Sequence, residues 1–367
     1  MADDYDLAHM RAALGLARRG LGNTWPNPAV GCVIVNKGRV VGRGWTQKGG
    51  RPHAETEALA RAGDAARGAA AYVTLEPCSH HGKTPPCAEA LIAAGIARVV
   101  AAIEDPDPRV SGRGIARLKE AGITVETGPC ADEAVELNAG FLCRVKHGRP
   151  LVTLKLATSL DGRIATASGE SRWITGAAAR ERAHLLRATQ DAVLVGTGTA
   201  LADDPQLTCR LPGLEDRSPV RVVIDRNLRL PATLRLFSEA RTVPTWLVTP
   251  PGSNRERQVA LEEQGVEIIP VAADQSGGID LTTMLRALAD KGLTRLLVEG
   301  GGALAASLLR AGLVDRLVWM RAPLALGGDG VPAIAGLGLD RLAAAPRFEL
   351  MSSETAGGDL VEVYRRA

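Results

Sequence analysis

Thr74-Leu-Glu-Pro-Cys-Ser-His-His-Gly-Lys-Thr-Pro-Pro-Cys87, read with His53-Ala-Glu55 upstream, decides how this chain folds. Ala71–Leu75 is an aliphatic, β-branched run, so Pro77-Cys78 falls where a strand ends. Cys87 stands at the start of a short helix, and His53 at the start of another. One neutral imidazole and two thiolates form a donor set that tetrahedral zinc favours. Three protein ligands leave a fourth position for water, whose pKa zinc lowers to roughly 7. Glu55, two residues from His53, reaches that water without ligating the metal. It is the candidate to take a proton from water and hand it to a departing amine. His-x-Glu, then Pro-Cys, then a second Cys is the order found in zinc deaminases.

The spacing departs from the short form of that signature, in which two residues separate the cysteines. Here Ser79 to Pro86 intervene. His80 and His81 are alternative metal donors, but Cys78 and His80 stand close together on an extended turn. His80 is therefore expected to face substrate and His81 solvent. Cys32, Cys130, Cys143 and Cys209 have no ligand-like partners at useful spacing and read as small buried hydrophobes.

Outward from this stretch, elements alternate. A helix is predicted over 5–19, a strand over Val30–Val35, a turn at Asn36-Lys-Gly38 and a second strand over Arg39–Trp45. A strand at Ala97–Ile103 and one more helix and strand through Val125 follow, with a closing helix over 131–146. Strands separated by helices imply parallel pairing through right-handed crossovers. His147-Gly-Arg-Pro150 breaks the pattern and divides the chain into domains 1–146 and 150–367. The second restarts at Leu151–Ala157. Further strands are predicted at Ala192–Gly196, Arg221–Asp225, Thr245–Thr249, Val266–Val271, Arg295–Val298 and Val314–Met320. Both halves read as α/β.

Composition narrows the function. Of 367 residues, 46% are hydrophobic, enough for two cores. The net charge of +3, with signs intermixed, lacks the concentrated basic footprint of a nucleic-acid binder. Three Phe, three Tyr and five Trp are too few to suggest a stacking platform for single strands, which argues against a nucleic-acid-editing deaminase. The acidic start lacks a signal peptide's apolar core, and no apolar run approaches the roughly 20 residues of a membrane span. Six cysteines in so long a chain are no disulfide framework, and the cytoplasm is the expected compartment.

Over nearly its whole length the sequence resembles the bifunctional deaminase/reductase family of riboflavin biosynthesis. The resemblance is carried by Asn27-Pro-Ala-Val-Gly31, His53-Ala-Glu55 and the 74–87 stretch, whose long inter-cysteine loop is typical of the family. In the second half it is carried by Leu154-Lys-Leu-Ala-Thr-Ser-Leu-Asp-Gly162, Gly169-Glu-Ser-Arg-Trp-Ile174, Leu201-Ala-Asp-Asp-Pro205, Leu207-Thr-Cys-Arg210 and Val298-Glu-Gly-Gly-Gly302. It implies a cytidine-deaminase-like α/β/α domain followed by a dihydrofolate-reductase-like α/β domain. The implied reactions are hydrolysis of the 2-amino group of 2,5-diamino-6-(5-phosphoribosylamino)pyrimidin-4(3H)-one, then NADPH-dependent reduction of the ribosyl group to ribityl. The alternative is a zinc deaminase of another nucleobase-type substrate whose second domain is inactive or differently specific.

By position, the resemblance assigns substrate contacts to Asn27, His80, Lys83 and Asp105 in the first domain. In the second it assigns them to Ser171, Arg187, Leu207, Arg210 and Glu299. NADPH contacts fall on Ala157, Trp173, Thr199 and Asp203, and on Gly301, Gly302, Ala303, Leu304, Ala305, Ala306 and Ser307. Glu299-Gly-Gly-Gly302 between a strand and a helix fits, because glycine permits close approach and a helix N-terminus offers free N–H groups to a diphosphate. Lys155 and Asp161 are expected near the nicotinamide, Lys155 positioning or polarising substrate. Arg226, where relatives have a small polar residue, is a candidate for the 2′-phosphate of NADPH. In the first domain, Thr46 stands where many relatives carry His; a hydroxyl cannot become cationic, so any phosphate contact made by that His is not expected here. The partners implied are small molecules, neither nucleic acid nor membrane, and relatives suggest a homo-oligomer, dimer or tetramer.

Overall fold

The computed structural model describes residues 4–80, 85–108, 110–275 and 277–367. It divides into two compact units, Met1–Gly148 and Arg149–Ala367.

The first unit runs α1 (Asp4–Ala17), β1 (Gly31–Asn36), β2 (Arg39–Trp45), α2 (Ala54–Ala62), β3 (Ala70–Val73), α3 (Cys87–Ala93), β4 (Arg98–Ala101), α4 (Arg113–Glu120), β5 (Thr124–Thr127), α5 (Ala131–Leu137) and α6 (Ala139–His147). Its sheet has the order β2-β1-β3-β4-β5. Side chains alternate across it, and both faces are apolar. Cys32, Ile34, Ala71, Val73 and Val99 pack with Ala54, Ala58, Leu91 and Leu118 on one side. Val33, Val35, Tyr72 and Val100 pack with Met10, Leu14 and Leu137 on the other. Helices therefore cover both faces.

Parallel pairing holds for β3, β4 and β5. β1 instead pairs antiparallel with both β2 and β3. The crossover through α2 starts from β2, the returning arm of a hairpin, and lands on the far side of β1. Gly44 seats α2 on β2, since a Cβ there would lie 2.1 Å from the Ala54 carbonyl oxygen. The closing helix predicted over 131–146 is two helices. Asn138 interrupts it and turns its buried amide to Ala29, accepting from the Ala29 N–H (3.0 Å) and donating to the Ala29 carbonyl (3.1 Å).

The second unit contains β6 (Leu151–Thr158), β7 (Arg163–Ala165), α7 (Ala177–Ala188), β8 (Ala192–Gly196), α8 (Thr197–Asp203), β9 (Val220–Ile224), α9 (Arg235–Ser238), β10 (Thr245–Thr249), α10 (Arg255–Glu263) and β11 (Val266–Pro270). α11 (Leu281–Asp290), β12 (Arg295–Val298), α12 (Gly302–Arg310), β13 (Arg316–Arg321), β14 (Val331–Pro332), β15 (Phe348–Ala356) and β16 (Asp359–Arg366) complete it. The main sheet has the order β11-β10-β9-β8-β12-β6-β13-β16-β15, parallel from β11 through β13. The β15–β16 hairpin closes one edge antiparallel. β14 pairs with β7 in a separate two-stranded ribbon. Among the described residues no helix is long and apolar enough to cross a membrane.

Candidate active sites

Three chain segments bring the candidate metal donors together. His53 is the extended residue that precedes α2, Cys78 lies just past β3, and Cys87 is the first residue of α3. Nδ1 of His53 lies 3.2 Å from Sγ of Cys87 and 3.6 Å from Sγ of Cys78. A tetrahedral zinc with Zn–N about 2.0 Å and Zn–S about 2.3 Å puts N and S about 3.5 Å apart, so the donors already have the right spacing. All three lie within 4.8 Å of one another. The Cys87 N–H donates to Cys78 Sγ at 3.3 Å, so the start of α3 faces that sulfur. Hydrogen bonding from the Cys87 thiol, and then from His53, brings Cys78 down to about 4 against the opposing effect of burial. The bond to Cys78, then burial, pushes Cys87 up.

Glu55, in the first turn of α2, is 4% exposed. Burial, then the neighbouring Cys78 thiolate, raises its carboxyl to about 7, and it hydrogen-bonds Cys87. It thus stands at the donor cluster without being one of the three donors.

Around this centre, Asn27 donates from Nδ2 to the Gly50 carbonyl (3.1 Å). Asp105 is buried, and its Oδ1 accepts the Asp107 N–H at 2.9 Å. His80 has a buried Nδ1 with no hydrogen-bond partner among the described residues, as a side chain kept for a ligand would. Lys83 and His81 lie outside the described residues. Thr46 is committed to the fold. Its Oγ1 accepts the Val30 N–H (3.0 Å) and donates to the Val30 carbonyl (3.4 Å).

One residue quoted only as part of a motif has more to do. Glu76 is 3% exposed, and its carboxylate accepts four backbone N–H groups. Oε2 takes those of Asp105 (3.1 Å) and Gly112 (3.0 Å), and Oε1 those of Gly114 (2.8 Å) and Ile115 (3.2 Å). A charged residue closing an aliphatic strand, directly before Pro-Cys, was the available signal.

In the second unit a cleft of about 1210 Å³ opens at the carboxyl ends of the parallel strands, where ligands of such sheets bind. Of the residues assigned from sequence, Lys155, Ala157, Ser171, Thr199, Asp203, Arg226, Glu299, Gly301, Gly302, Ala303, Leu304 and Ser307 line it. The turn into α12 is built for close approach. A Cβ on Gly302 would lie 2.8 Å from the Pro332 carbonyl, and the Gly301 N–H is held by Thr199 Oγ1 at 2.9 Å. The first residues of α8, Thr197 and Gly198, line the same cleft. Two helix starts and a glycine turn suit an anionic diphosphate. Arg226 sits at the rim with Arg229, its Nη1 donating to the Gly277 carbonyl.

Glu299 centres a charge cluster. Arg187 grips it bidentately (2.6 and 3.0 Å), and Lys155 Nζ stands 3.7 Å away. Burial alone would raise this carboxyl, but Arg187 and then Lys155 outweigh it and hold it down to about 2.

Other assigned residues lie apart from the cleft lining. Ala305 and Ala306 face the core, at 0% and 1% exposure, so only their backbone could meet a cofactor. Trp173 is 69% exposed, with the Arg180 guanidinium 4.6 Å from its ring centre. Leu207 is buried, and Arg210 is exposed beside Thr208. Asp161, expected near the nicotinamide, is not among the residues that line the cleft. It accepts the Leu326 and Gly327 N–H groups (3.1 and 2.8 Å) and the Ser159 hydroxyl (2.6 Å), and so ties down the loop that leads to β14.

These features define a zinc-centre deaminase unit followed by a dihydrofolate-reductase-like unit. A family model described as the cytidine and deoxycytidylate deaminase zinc-binding region matches residues 3–103, and one described as the RibD C-terminal domain matches 150–362. The riboflavin biosynthesis protein RibD of Escherichia coli K12 is 46% identical over 98% of both chains. Two solved structures superpose over 99% of both chains. They are Acinetobacter baumannii RibD (TM-score 0.89, 40% identity) and a diaminohydroxyphosphoribosylaminopyrimidine deaminase/5-amino-6-(5-phosphoribosylamino)uracil reductase from Thermotoga maritima (TM-score 0.86, 35% identity). The chain belongs to the RibD family of bifunctional deaminase/reductases of riboflavin biosynthesis.

Proposed function

We propose that this chain removes the 2-amino group of 2,5-diamino-6-(5-phosphoribosylamino)pyrimidin-4(3H)-one and then reduces the ribosyl group of the uracil product to ribityl with NADPH. The observation that carries the reading is the convergence of His53, Cys78 and Cys87 on zinc spacing, with buried Glu55 against them.

Zinc held by those three residues would supply the Lewis acidity that makes water nucleophilic near neutral pH. Glu55 does the proton work. Its carboxylate accepts a proton from the attacking water and gives it to the leaving nitrogen, so water is consumed and ammonia released. Asn27, His80 and Asp105 orient the pyrimidine, and Lys83 pairs with the phosphate.

In the cleft, the backbone N–H groups that open α12 at Gly302 and Ala303 would hold the diphosphate of NADPH, with Thr199 fixing Gly301. NADPH would supply the hydride, and the protein orientation and electrostatics. Lys155 stands beside the substrate position with Glu299 as its counter-ion. On the resemblance, Arg187 and Arg210 are the arginines for the substrate phosphate; Arg187 is also paired with Glu299, and Arg210 is exposed beside Thr208. On the resemblance to its family, the enzyme acts in the cytoplasm as a homo-oligomer.

The test incubates zinc-loaded protein with the diaminopyrimidine substrate, with and without NADPH, and follows products by mass spectrometry. Replacement of an amine by oxygen in both tubes, with two hydrogens added only when NADPH is present, is the expected result. No change in either tube, with zinc occupancy confirmed, overturns the substrate assignment.

A further inference from the structure

We propose that Glu76 is a positioning residue for substrate binding in the deaminase unit: it sets the place of Asp105 relative to the strand end that carries Cys78. This rests on the reading of Asp105 as a substrate contact.

A carboxylate offers about four acceptor sites on two oxygens, and here four N–H donors fill them. The donors come from two places. One oxygen holds the Asp105 N–H and the Gly112 N–H just ahead of α4. The other holds Gly114 and Ile115, whose N–H groups have no partner within α4 because they lie in its first turn. Glu76 itself is fixed beside the chain that leaves β4 through its own N–H, donated to the Ile103 carbonyl at 3.0 Å. Two residues further on, Cys78 carries a metal donor. A single side chain thus spans the end of β3, the turn at Asp105 and the start of α4.

The packing shows how little slack exists. A Cβ on Gly114 would lie 2.0 Å from the Pro77 carbonyl oxygen, so the first turn of α4 rests directly on the Pro77-Cys78 backbone. With α4 seated there, Oε2 of Glu76 fixes where Asp105 begins. Glutamine has nearly the same shape but only one acceptor oxygen. Its amide NH₂ would face two N–H donors, and either Asp105 and Gly112 or Gly114 and Ile115 would lose their acceptor.

The experiment uses the full chain and the diaminopyrimidine substrate. It compares wild type, Glu76→Gln, Asp105→Asn and the double variant by steady-state deamination and zinc analysis. NADPH-dependent reduction of the uracil intermediate serves as an internal control. For Glu76→Gln the expected result is a KM raised about tenfold or more, kcat within about threefold and zinc content unchanged. In the Asp105→Asn background, adding Glu76→Gln should change KM by less than about twofold, because the residue it positions has already been lost. If Glu76→Gln yields no folded protein, Glu76→Asp keeps the charge, gives up reach and is judged by the same criteria. An unchanged KM, a loss confined to kcat or to zinc, or effects that multiply in the double variant would overturn the proposal. Wild type without deaminase activity, or Asp105→Asn with normal KM, would instead sink the substrate reading on which it rests.

Discussion

Replacing Glu299 by Gln should destabilise the reductase unit, and the cost should depend on pH in a defined way. Glu299 and Arg187 are 9% and 14% exposed at their side chains, so solvent screens the pair weakly. The Glu299 carboxyl titrates at about 2 in the fold against 4.5 for the isolated side chain. Each tenfold change in proton affinity is about 1.36 kcal/mol, so the ionised form contributes about 3 kcal/mol at pH 7. The sign follows from proton binding. Between about pH 4.5 and 2 the unfolded chain protonates first, so stability falls as pH falls. Roughly 2 kcal/mol of the contribution should be gone by pH 3, most of the rest by pH 2. Glutamine carries no such proton and leaves Arg187 buried without its counter-ion, a change that costs about 3–5 kcal/mol in comparable buried pairs. The assay is urea unfolding of wild type and Glu299→Gln at pH 7 and pH 3. Hydrogen exchange of β12 and α7 peptides, read by mass spectrometry, reports this unit alone. A gap of about 3 kcal/mol or more at pH 7 should narrow by about 2 at pH 3. A gap that is the same at both values would refute the electrostatic account.

Other outcomes follow from single contacts. Glu55→Gln should lower deamination kcat roughly 10²–10⁴-fold while zinc stays bound, measured by ammonia release alongside metal analysis. Gly302→Ala places a methyl group 2.8 Å from the Pro332 carbonyl, so NADPH affinity should drop about tenfold in a fluorescence titration, with deamination unaffected. Thr46→Val strips the acceptor from the Val30 N–H and should cost about 1–2 kcal/mol in urea unfolding, while the deaminase KM stays within about twofold.

What could be read in the sequence followed the strength of the local signal. Arg39–Trp45, Ala192–Gly196, Thr245–Thr249 and Arg295–Val298 are strands with the predicted limits, because each has the continuous aliphatic or alternating run of a sheet covered by helices. The convergence of His53, Cys78 and Cys87 was legible because each sits near an element end marked by chemistry of its own. β15 was not. Nearly all its residues are exposed, including Leu350 and Met351, and a bulge between Leu350 and Ser352 breaks its register, so no period survives. Asn138 inside a helical pattern gave no sign that its amide would be claimed by Ala29, more than a hundred residues earlier. The inward face of α12 was equally hidden: its run of small residues looks uniform in sequence, yet Ala305 and Ala306 belong to the core.

The hold of Asn138 on Ala29 sets a minimum size for a working deaminase module. The stretch recognisable as the zinc-binding region stops at residue 103 and contains the three candidate donors and Glu55. A fragment cut there would keep the reagents and lose the frame. The Ala29 backbone, two residues from Asn27, would have no amide to pair with, and all four donors to Glu76 would be missing. Transplanting the chemistry to another scaffold therefore requires the segment through Asn138 as well, although none of the three candidate donors lies in it.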